Sequence, residues 1–474
     1  MKKRIVAMLL ILIFTLVLVV YDLPYVRASS DAFFEVSAYF DDSVGLKTDG
    51  SLWSWGGMLN RRRIGFDHID EIHVPGKIME NVASYSMGDS HNMIVKTDGS
   101  LWGWGANFYG NLGFEGDSWV PMPEKIMDDV AQASVGSSHS MILKTDGSLW
   151  ACGENEFGQL GDGTTELRIT PVKIMDDVIS ITAGSWVSYA IKTDGSLWGW
   201  GWDIANQIGL DTEEYQLTPL KIMDDVIHVS TGFFHSMAIK TDGSLWAWGR
   251  NSDGQFGDGT SFGRHAPRQI MLDVMYVSGG YGHILAIRSD GSLWAWGSNS
   301  HGMLGDGTTE SSLVQKKIME DVIYVSAGFG HSLAIKSDGS LWAWGANEHG
   351  QLGIEASDDV LLPMKISDHG APDRTRATEI WAREQRPLSL DEGETEVESE
   401  IGAHIEGHIE PEREPHTGTE TVTEAGTETR ERTTSPQRAS LLIVLVVASI
   451  VFVIAAATVI VFGVMLSRSN AKQR

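Results

Sequence analysis

The phrase from Lys240 to Gly249, Lys-Thr-Asp-Gly-Ser-Leu-Trp-Ala-Trp-Gly, limits what this chain can fold into more than any other feature, because it recurs in recognisable form seven times. Its aspartates fall at Asp49, Asp98, Asp146, Asp194, Asp242, Asp290 and Asp338, a spacing of 49 residues once and 48 thereafter. A fixed period of this size marks an array in which one supersecondary unit buries its apolar face by stacking on copies of itself.

Within each copy, residues alternate apolar and polar up to the Asp-Gly pair (Met237 and Ile239 against Ala238 and Lys240), and Leu245, Trp246 and Trp248 resume an extended run after it. Asp-Gly between alternating runs is a hairpin signal, since Gly accepts a positive φ without steric cost. The rest of the unit supplies a turn-rich loop, such as Asn251 to Thr260, and two further short runs, such as Pro171 to Ile174 and Val226 to Ser230. Four short strands per unit and seven units predict an all-β fold, a seven-bladed β-propeller.

These motifs resemble the regulator of chromosome condensation repeat family. Its blades carry a Gly-x-x-His-Ser-x-Ala-x-Lys run, then Trp-x-Trp-Gly, then Gly-Gln-Leu-Gly. In the seventh unit they read AGFGHSLAIK from Ala327, SLWAWG from Ser340 and GQLG from Gly350. The resemblance covers roughly Val36 to Ile366. Three departures stand out: Cys152 in place of the second Trp, Val187 and Asp42 in place of the His, and Met58 to Arg63 in place of the usual Asn-rich loop. Three functional alternatives to a plain interaction module stand, the first two of them implied by the family. One is guanine-nucleotide exchange on a small GTPase, as in its nuclear members. Another is inhibition of a secreted enzyme, as in β-lactamase-inhibitory propellers. The third is binding or cleavage of carbohydrate at a surface.

The ends of the chain differ from the repeats. Residues 1–28 open with Met1-Lys2-Lys3-Arg4, continue in an apolar run from Ile5 to Val20 and reach small residues at Ala28. That is the pattern of a secretory signal cut after Ala28, or of an uncleaved signal anchor. The propeller is placed at 29–366. Residues 367–438 are rich in Glu, Thr, Pro and Gly with hardly an apolar cluster, so they read as an acidic disordered stalk spanning roughly 45 to 50 Å as a coil. Residues 439–467 hold the uncharged run Leu441 to Leu466, long enough for a bilayer core of about 30 Å at about 1.5 Å per residue. The tail 468–474 carries Arg468, Lys472 and Arg474, which the positive-inside rule assigns to the cytoplasm, leaving the propeller outside the cell. The net charge of −27 disfavours nucleic acid as a partner, and the one basic cluster, Arg61-Arg62-Arg63, reads as a solvated turn. With a single Cys there is no internal disulfide, which by itself fixes no compartment.

In a repeat protein, residues common to every blade hold the scaffold and residues that vary face the ligand. By that rule His91, His139, His235, His283 and His331 are structural, each hydrogen-bonded within its own blade. They lie too far apart to share a metal whose ligands sit at about 2 Å. Asp162-Gly163-Thr164, Asp258-Gly259-Thr260 and Asp306-Gly307-Thr308 read as turns, because they lack the alternating carboxylates of a calcium loop. No nucleophile elbow, phosphate loop or zinc motif is present, so no catalytic residue, metal or cofactor is expected. The informative positions lie just before the His slot. There Phe40, Trp186, Phe233, Phe234, Tyr281 and Phe329 stand on equivalent turns, while the second and third units carry Asp89-Ser90 and Ser137-Ser138. Aromatics on turns have the composition of binding hot spots. They are the candidate partner-binding residues, for a protein or a surface glycan on one propeller face, with each ring capping its own blade core as the alternative. The expectation is a monomeric, non-enzymatic, single-pass cell-surface protein.

Overall fold

The computed structural model describes residues 32–57, 72–210, 215–354 and 358–368, all within one unit of the chain, Met1–Glu394. The signal segment, the Arg61–Arg63 cluster, all of the stalk beyond Asp368, the apolar run Leu441–Leu466 and the basic tail lie outside the described residues. Twenty-eight strands form seven four-stranded antiparallel sheets, each from four consecutive strands. Blade one is β1 (Phe33–Tyr39), β2 (Asp42–Lys47), β3 (Leu52–Gly56) and β4 (Ile72–Met79); blade seven is β25 (Val322–Ala327), β26 (His331–Lys336), β27 (Ser340–Gly345) and β28 (Val360–Asp368). The seven-bladed propeller expected from the repeat is the fold.

The repeated phrase forms the hairpin between the second and third strands. In blade five, Gly243 has φ 77° and donates its N–H to Lys240 O at 2.9 Å, while Lys240 N reaches Ser244 O at 3.0 Å. This is a three-residue loop whose last residue must be left-handed, which is why Gly recurs there. Asp242 Oδ1 accepts from Ser244 N at 2.9 Å and from Ser244 Oγ at 2.5 Å, and Trp246 Nε1 donates to Ser244 Oγ at 2.9 Å. The Lys240 ammonium lies 5.4 Å from the Trp246 ring centre. The first Trp of the phrase thus serves the turn, and the second serves the core: Trp55, Trp200, Trp248, Trp296 and Trp344 are fully buried between blades.

The seams between blades carry the repeated polar residues. Met303, in the Gly-x-x-Gly turn of blade six, offers its carbonyl to Ser332 Oγ at 2.8 Å and Trp344 Nε1 at 2.8 Å, both from blade seven. His283 of blade six approaches the same Ser332 Oγ through Nε2 at 2.9 Å. The serine has one proton, given to the carbonyl, so His283 donates Nε2–H, and burial keeps its ring neutral. His91 to Ser140 (2.6 Å) and His139 to Ser188 (2.9 Å) repeat the pattern, and His331 to Ser43 (2.9 Å) closes the ring from blade seven to blade one. The expectation that each His bonds within its own blade is therefore corrected: the partner is one blade further on.

The departures from the motif keep the seams intact in other ways. Where Val187 replaces His, Tyr189 OH bonds Ser236 Oγ at 2.9 Å and Gln207 O. Where Cys152 replaces Trp, its thiol still points at Asn111 O, 3.7 Å away, and burial pushes its pKa up to about 12. At the seam of blades five and six, Ile284 stands in the serine position and His235 Nε2 has no partner. On the inner strands, Ser86, Ser134, Ser230, Ser278 and Ser326 each accept a backbone N–H of the next blade at 2.8–3.0 Å.

Burial lowers the five histidines from an ordinary 6.5, His91, His283 and His331 to about 3 and His139 and His235 to about 4. The unfolded chain then binds more protons than the native one below pH 6.5, so stability is full above that pH and falls as pH drops toward 4. Each histidine contributes up to about 1.4 kcal/mol per pH unit in that window. The melting temperature should be flat from pH 7 to 8 and fall steeply between pH 6 and 4; a flat profile across both ranges would contradict the buried neutral histidines. Replacing Ser332 by Ala removes one seam serine and leaves His283 unpaired, and equilibrium unfolding should register a loss of about 1–3 kcal/mol.

Candidate functional site

The turns between first and second strands, and the loops between third and fourth, lie at the same end of every blade, because each sheet is an antiparallel meander. At this end the inner strands open into a cavity of about 230 Å³ at the ring axis, to which all seven blades contribute. Phe40, Phe233, Tyr281 and Phe329 line its mouth together with Tyr39 and Asp89.

The six candidate aromatics come together here. Phe40 stacks on Phe329 with centroids 5.1 Å apart and planes at 17°, Phe329 meets Tyr281 at 4.3 Å, and Tyr281 meets Phe233 at 4.9 Å. Phe233 touches Phe234 at 4.5 Å and Trp186 at 5.5 Å. Every blade-to-blade step in this series crosses a seam, so the rings form one arc from blade one backward through blades seven, six and five to blade four. Tyr281 and Phe329 are 44% and 41% exposed, and the other four are half-buried, so none is a core ring of the kind that Trp344 is. They pack on one another across the rim of the channel, which the alternative of separate caps on separate blades does not describe.

Residues outside the original candidate set extend the arc. Trp202 meets Trp186 edge-on at 5.2 Å, and Phe157 from blade three stacks on Trp202 at 4.8 Å. Tyr39 continues the other end, 5.4 Å from Phe40, and its hydroxyl donates to Asp89 Oδ1 in blade two. Phe157 lies in the loop between the third and fourth strands of blade three and Trp202 ends the third strand of blade four, Leu197–Trp202, so neither stands on the rim turn that the repeat singles out. A second cavity of about 210 Å³ lies beside Asp89, lined also by Ser90, Phe108, Tyr109, Trp119 and Ser138.

Charge is divided unequally between the two ends of the ring. In the described turns and loops of the arc end, Arg250 is the one Lys or Arg, with Arg168 and Arg264 at the first positions of the strands that follow, whereas carboxylates recur: Asp41, Asp89, Glu154, Glu156, Asp253 and Glu348 among them. Burial, with the Glu156 charge beside it, raises the Glu154 carboxyl above its ordinary range. At the opposite end lysines alternate with acids and pair with them, as in Lys125–Asp128 and Lys173–Asp176, both 2.8 Å. The Asp-Gly-Thr loops are turns: Asp162 Oδ1 accepts from Thr164 N and Oγ1, and its other oxygen holds Arg168 at 2.7 Å.

A ring of seven four-stranded blades with these seam residues defines a class of repeat propeller, and comparison with known proteins gives its family. Residues 22–329 match the RCC1-like domain, and residues 322–351 and 338–378 match the regulator of chromosome condensation (RCC1) repeat; the chain belongs to this family. No curated protein matches the sequence. Among solved structures, human WBSCR16 is similar at 24% identity and a TM-score of 0.57, over 63% of this chain and 86% of that one. Prp20p from Saccharomyces cerevisiae, described with its binding to Gsp1p and histones, is similar at 21% identity and a TM-score of 0.60, over 71% and 87%. Yeast RCC1 (Prp20) bound to Kap60 gives 19% and 0.59, over 73% and 86%. At these identities the likeness is one of fold.

The rim rings and the core rings should respond differently to truncation. Tyr281→Ala or Phe329→Ala should shift unfolding free energy by less than about 1 kcal/mol, whereas Trp344→Ala should cost about 3–5 kcal/mol. Equal losses in a denaturant titration would return the rim rings to the core.

Proposed function

We propose that this chain is a non-enzymatic protein-interaction module carried on the outer surface of a cell. The observation behind this reading is the aromatic arc, a run of partly exposed rings that cross blade seams at one end of the ring. Aromatic side chains supply large contact area at low entropic cost and dominate binding hot spots. A fold neighbour, Prp20p, is described as binding the proteins Gsp1p and histones, which supports a protein as the class of partner. The arc belongs to variable turns that differ from the equivalent turns of blades two and three, as a site on a repeat scaffold should.

Surface display is proposed from the sequence at the two ends. The basic start and apolar run of residues 1–28 lead the chain into a membrane, the uncharged run Leu441–Leu466 holds it there, and Arg468, Lys472 and Arg474 keep the tail inside. The acidic segment 367–438 would then hold the propeller off the bilayer as a stalk, with the module acting as a monomer. Nuclear exchange-factor activity does not suit a chain with this pair of apolar runs.

Two experiments test the reading. Protease added to intact cells should release the propeller by cutting between Ser367 and Arg438; protection until lysis would overturn the outside placement. Replacing Trp186, Phe233, Tyr281 and Phe329 together by Ala should abolish capture of the native partner, a loss of about 2 kcal/mol or more, with the melting temperature nearly unchanged. A folded quadruple variant that still captures the partner would rule the arc out.

A further inference from the structure

The arc is open on one side. Between Tyr39 in blade one and Phe157 in blade three, the rim turns carry Asp89-Ser90 and Ser137-Ser138 in place of aromatics. Asp89 occupies this gap and lines both cavities of the arc end, the one on the ring axis and the one beneath Phe108 and Tyr109. Its carboxylate is half-buried, and Tyr39 OH donates to Oδ1.

Asp89 lacks the cationic partner that several other acids of the ring have. Asp162, Asp258 and Asp306 hold Arg168, Arg264 and Lys316 of their own blades, and acids at the opposite end hold lysines three residues away. Among the described residues, no Lys or Arg pairs with Asp89, and its one hydrogen-bond donor is a neutral phenol. Aromatic side chains stand around it: Tyr39 reaches it through its hydroxyl, and Phe108 and Tyr109, 63% and 44% exposed, line the adjoining cavity with it. A carboxylate between exposed rings favours a cation that can satisfy both, through a charge-assisted hydrogen bond and through the ring quadrupoles. The surrounding charge has the same preference: Arg168 and Arg264 at this end are each taken up by an Asp of their own blade, and Arg250 is the one Lys or Arg within the described loops there.

We propose that Asp89 anchors a Lys or Arg side chain of the protein partner, so that the partner docks on the aromatic arc through a basic segment. This rests on the reading of the arc end as a protein-binding face. Oδ2 accepts the partner's N–H, the stem of that side chain lies against Tyr109 and Phe108, and neighbouring apolar residues of the partner reach the arc. An acidic or uncharged segment gains nothing from this arrangement and is repelled by the loop carboxylates.

The test uses the full-length chain and a hexa-arginine peptide bearing a photoreactive group, with a hexa-glutamate peptide of the same design. After irradiation, peptide mapping should place hexa-arginine adducts in residues 39–41 and 107–118 and hexa-glutamate adducts in neither. Asp89→Asn keeps an acceptor for Tyr39 and so retains the fold, and should weaken labelling at those residues by about tenfold or more. Asp89→Lys should abolish it. Asp176→Asn removes the same charge at the opposite end of the ring and should change it by less than twofold. Adducts confined to the acidic segment 367–438, or equal effects of Asp89→Asn and Asp176→Asn, would show diffuse attraction and overturn the anchor. Those outcomes leave the arc itself standing, since it fails only if the quadruple aromatic variant still captures the native partner.

Discussion

A backbone carbonyl shared across the seam organises this ring. Between blades three and four, six and seven, and seven and one, the Gly-x-x-Gly turn of a blade points a backbone oxygen into the next blade, where a serine hydroxyl and a tryptophan N–H converge on it, and the histidine of the first blade secures the serine from behind. Buried polar groups are costly unless each has a partner, and here three motifs that look separate in sequence satisfy one another. Trp344 contributes packing and a donor at once, so no residue of its size lacking an N–H replaces it without loss. The Trp-x-Trp glycine is held by the same geometry: at Gly345, with φ 104°, a Cβ would lie 2.5 Å from Gly330 O and 2.7 Å from His331 Cα.

This arrangement divides the sequence between scaffold and surface. Strand residues, the Asp-Gly-Ser turn and the Gly-x-x-Gly turn are committed to hydrogen bonds that recur from blade to blade. The longer loops at one end keep repeated bonds of their own, such as Asn299 Oδ1 accepting from Leu304 N at 2.9 Å and Asn347 Oδ1 from Leu352 N at 3.0 Å, while the rim turns and the loop positions between those bonds are free to differ. Aromatic rings on six blades and an aspartate on the seventh therefore arise at positions where the scaffold is indifferent, which is how a body with sevenfold repetition acquires a face without it.

Much of this was legible in the sequence, and the rest was hidden for a specific reason. The period, the hairpins, the blade number and the aromatic positions follow from spacing and turn chemistry. The histidine partners do not. His91 and Ser140 are 49 residues apart, which is one repeat and one residue, so a bond inside a blade and a bond to the next blade leave the same trace in a periodic sequence. That the rim rings touch was also invisible, because Phe40 and Phe329 meet only once the ring closes. The segregation of charge needed the strand count, since only the alternation of strand direction places the Asp-Gly-Ser turns at one end and the longer loops at the other. Tyr189 was unreadable for a different reason: it stands two residues past the missing histidine, on a strand where any apolar residue would suit the pattern.

Among the described residues, no strand is exchanged between the first and last blades. Many rings of this kind could be fastened by pairing a strand from one terminus into the sheet of the other, but here blade one is wholly N-terminal and blade seven wholly C-terminal. The final seam is made by side chains and packing: His331 to Ser43, Trp55 and Ser43 to Gln351 O, Ala38 N to Ser326, and the cluster around Phe33, Trp55 and Leu333. Its partners lie 288 residues apart where those of a neighbouring seam lie 49 apart, and closing the longer loop costs about 1.6 kcal/mol more in chain entropy. Six seams form between neighbours along the chain; the seventh joins the last blade to the first.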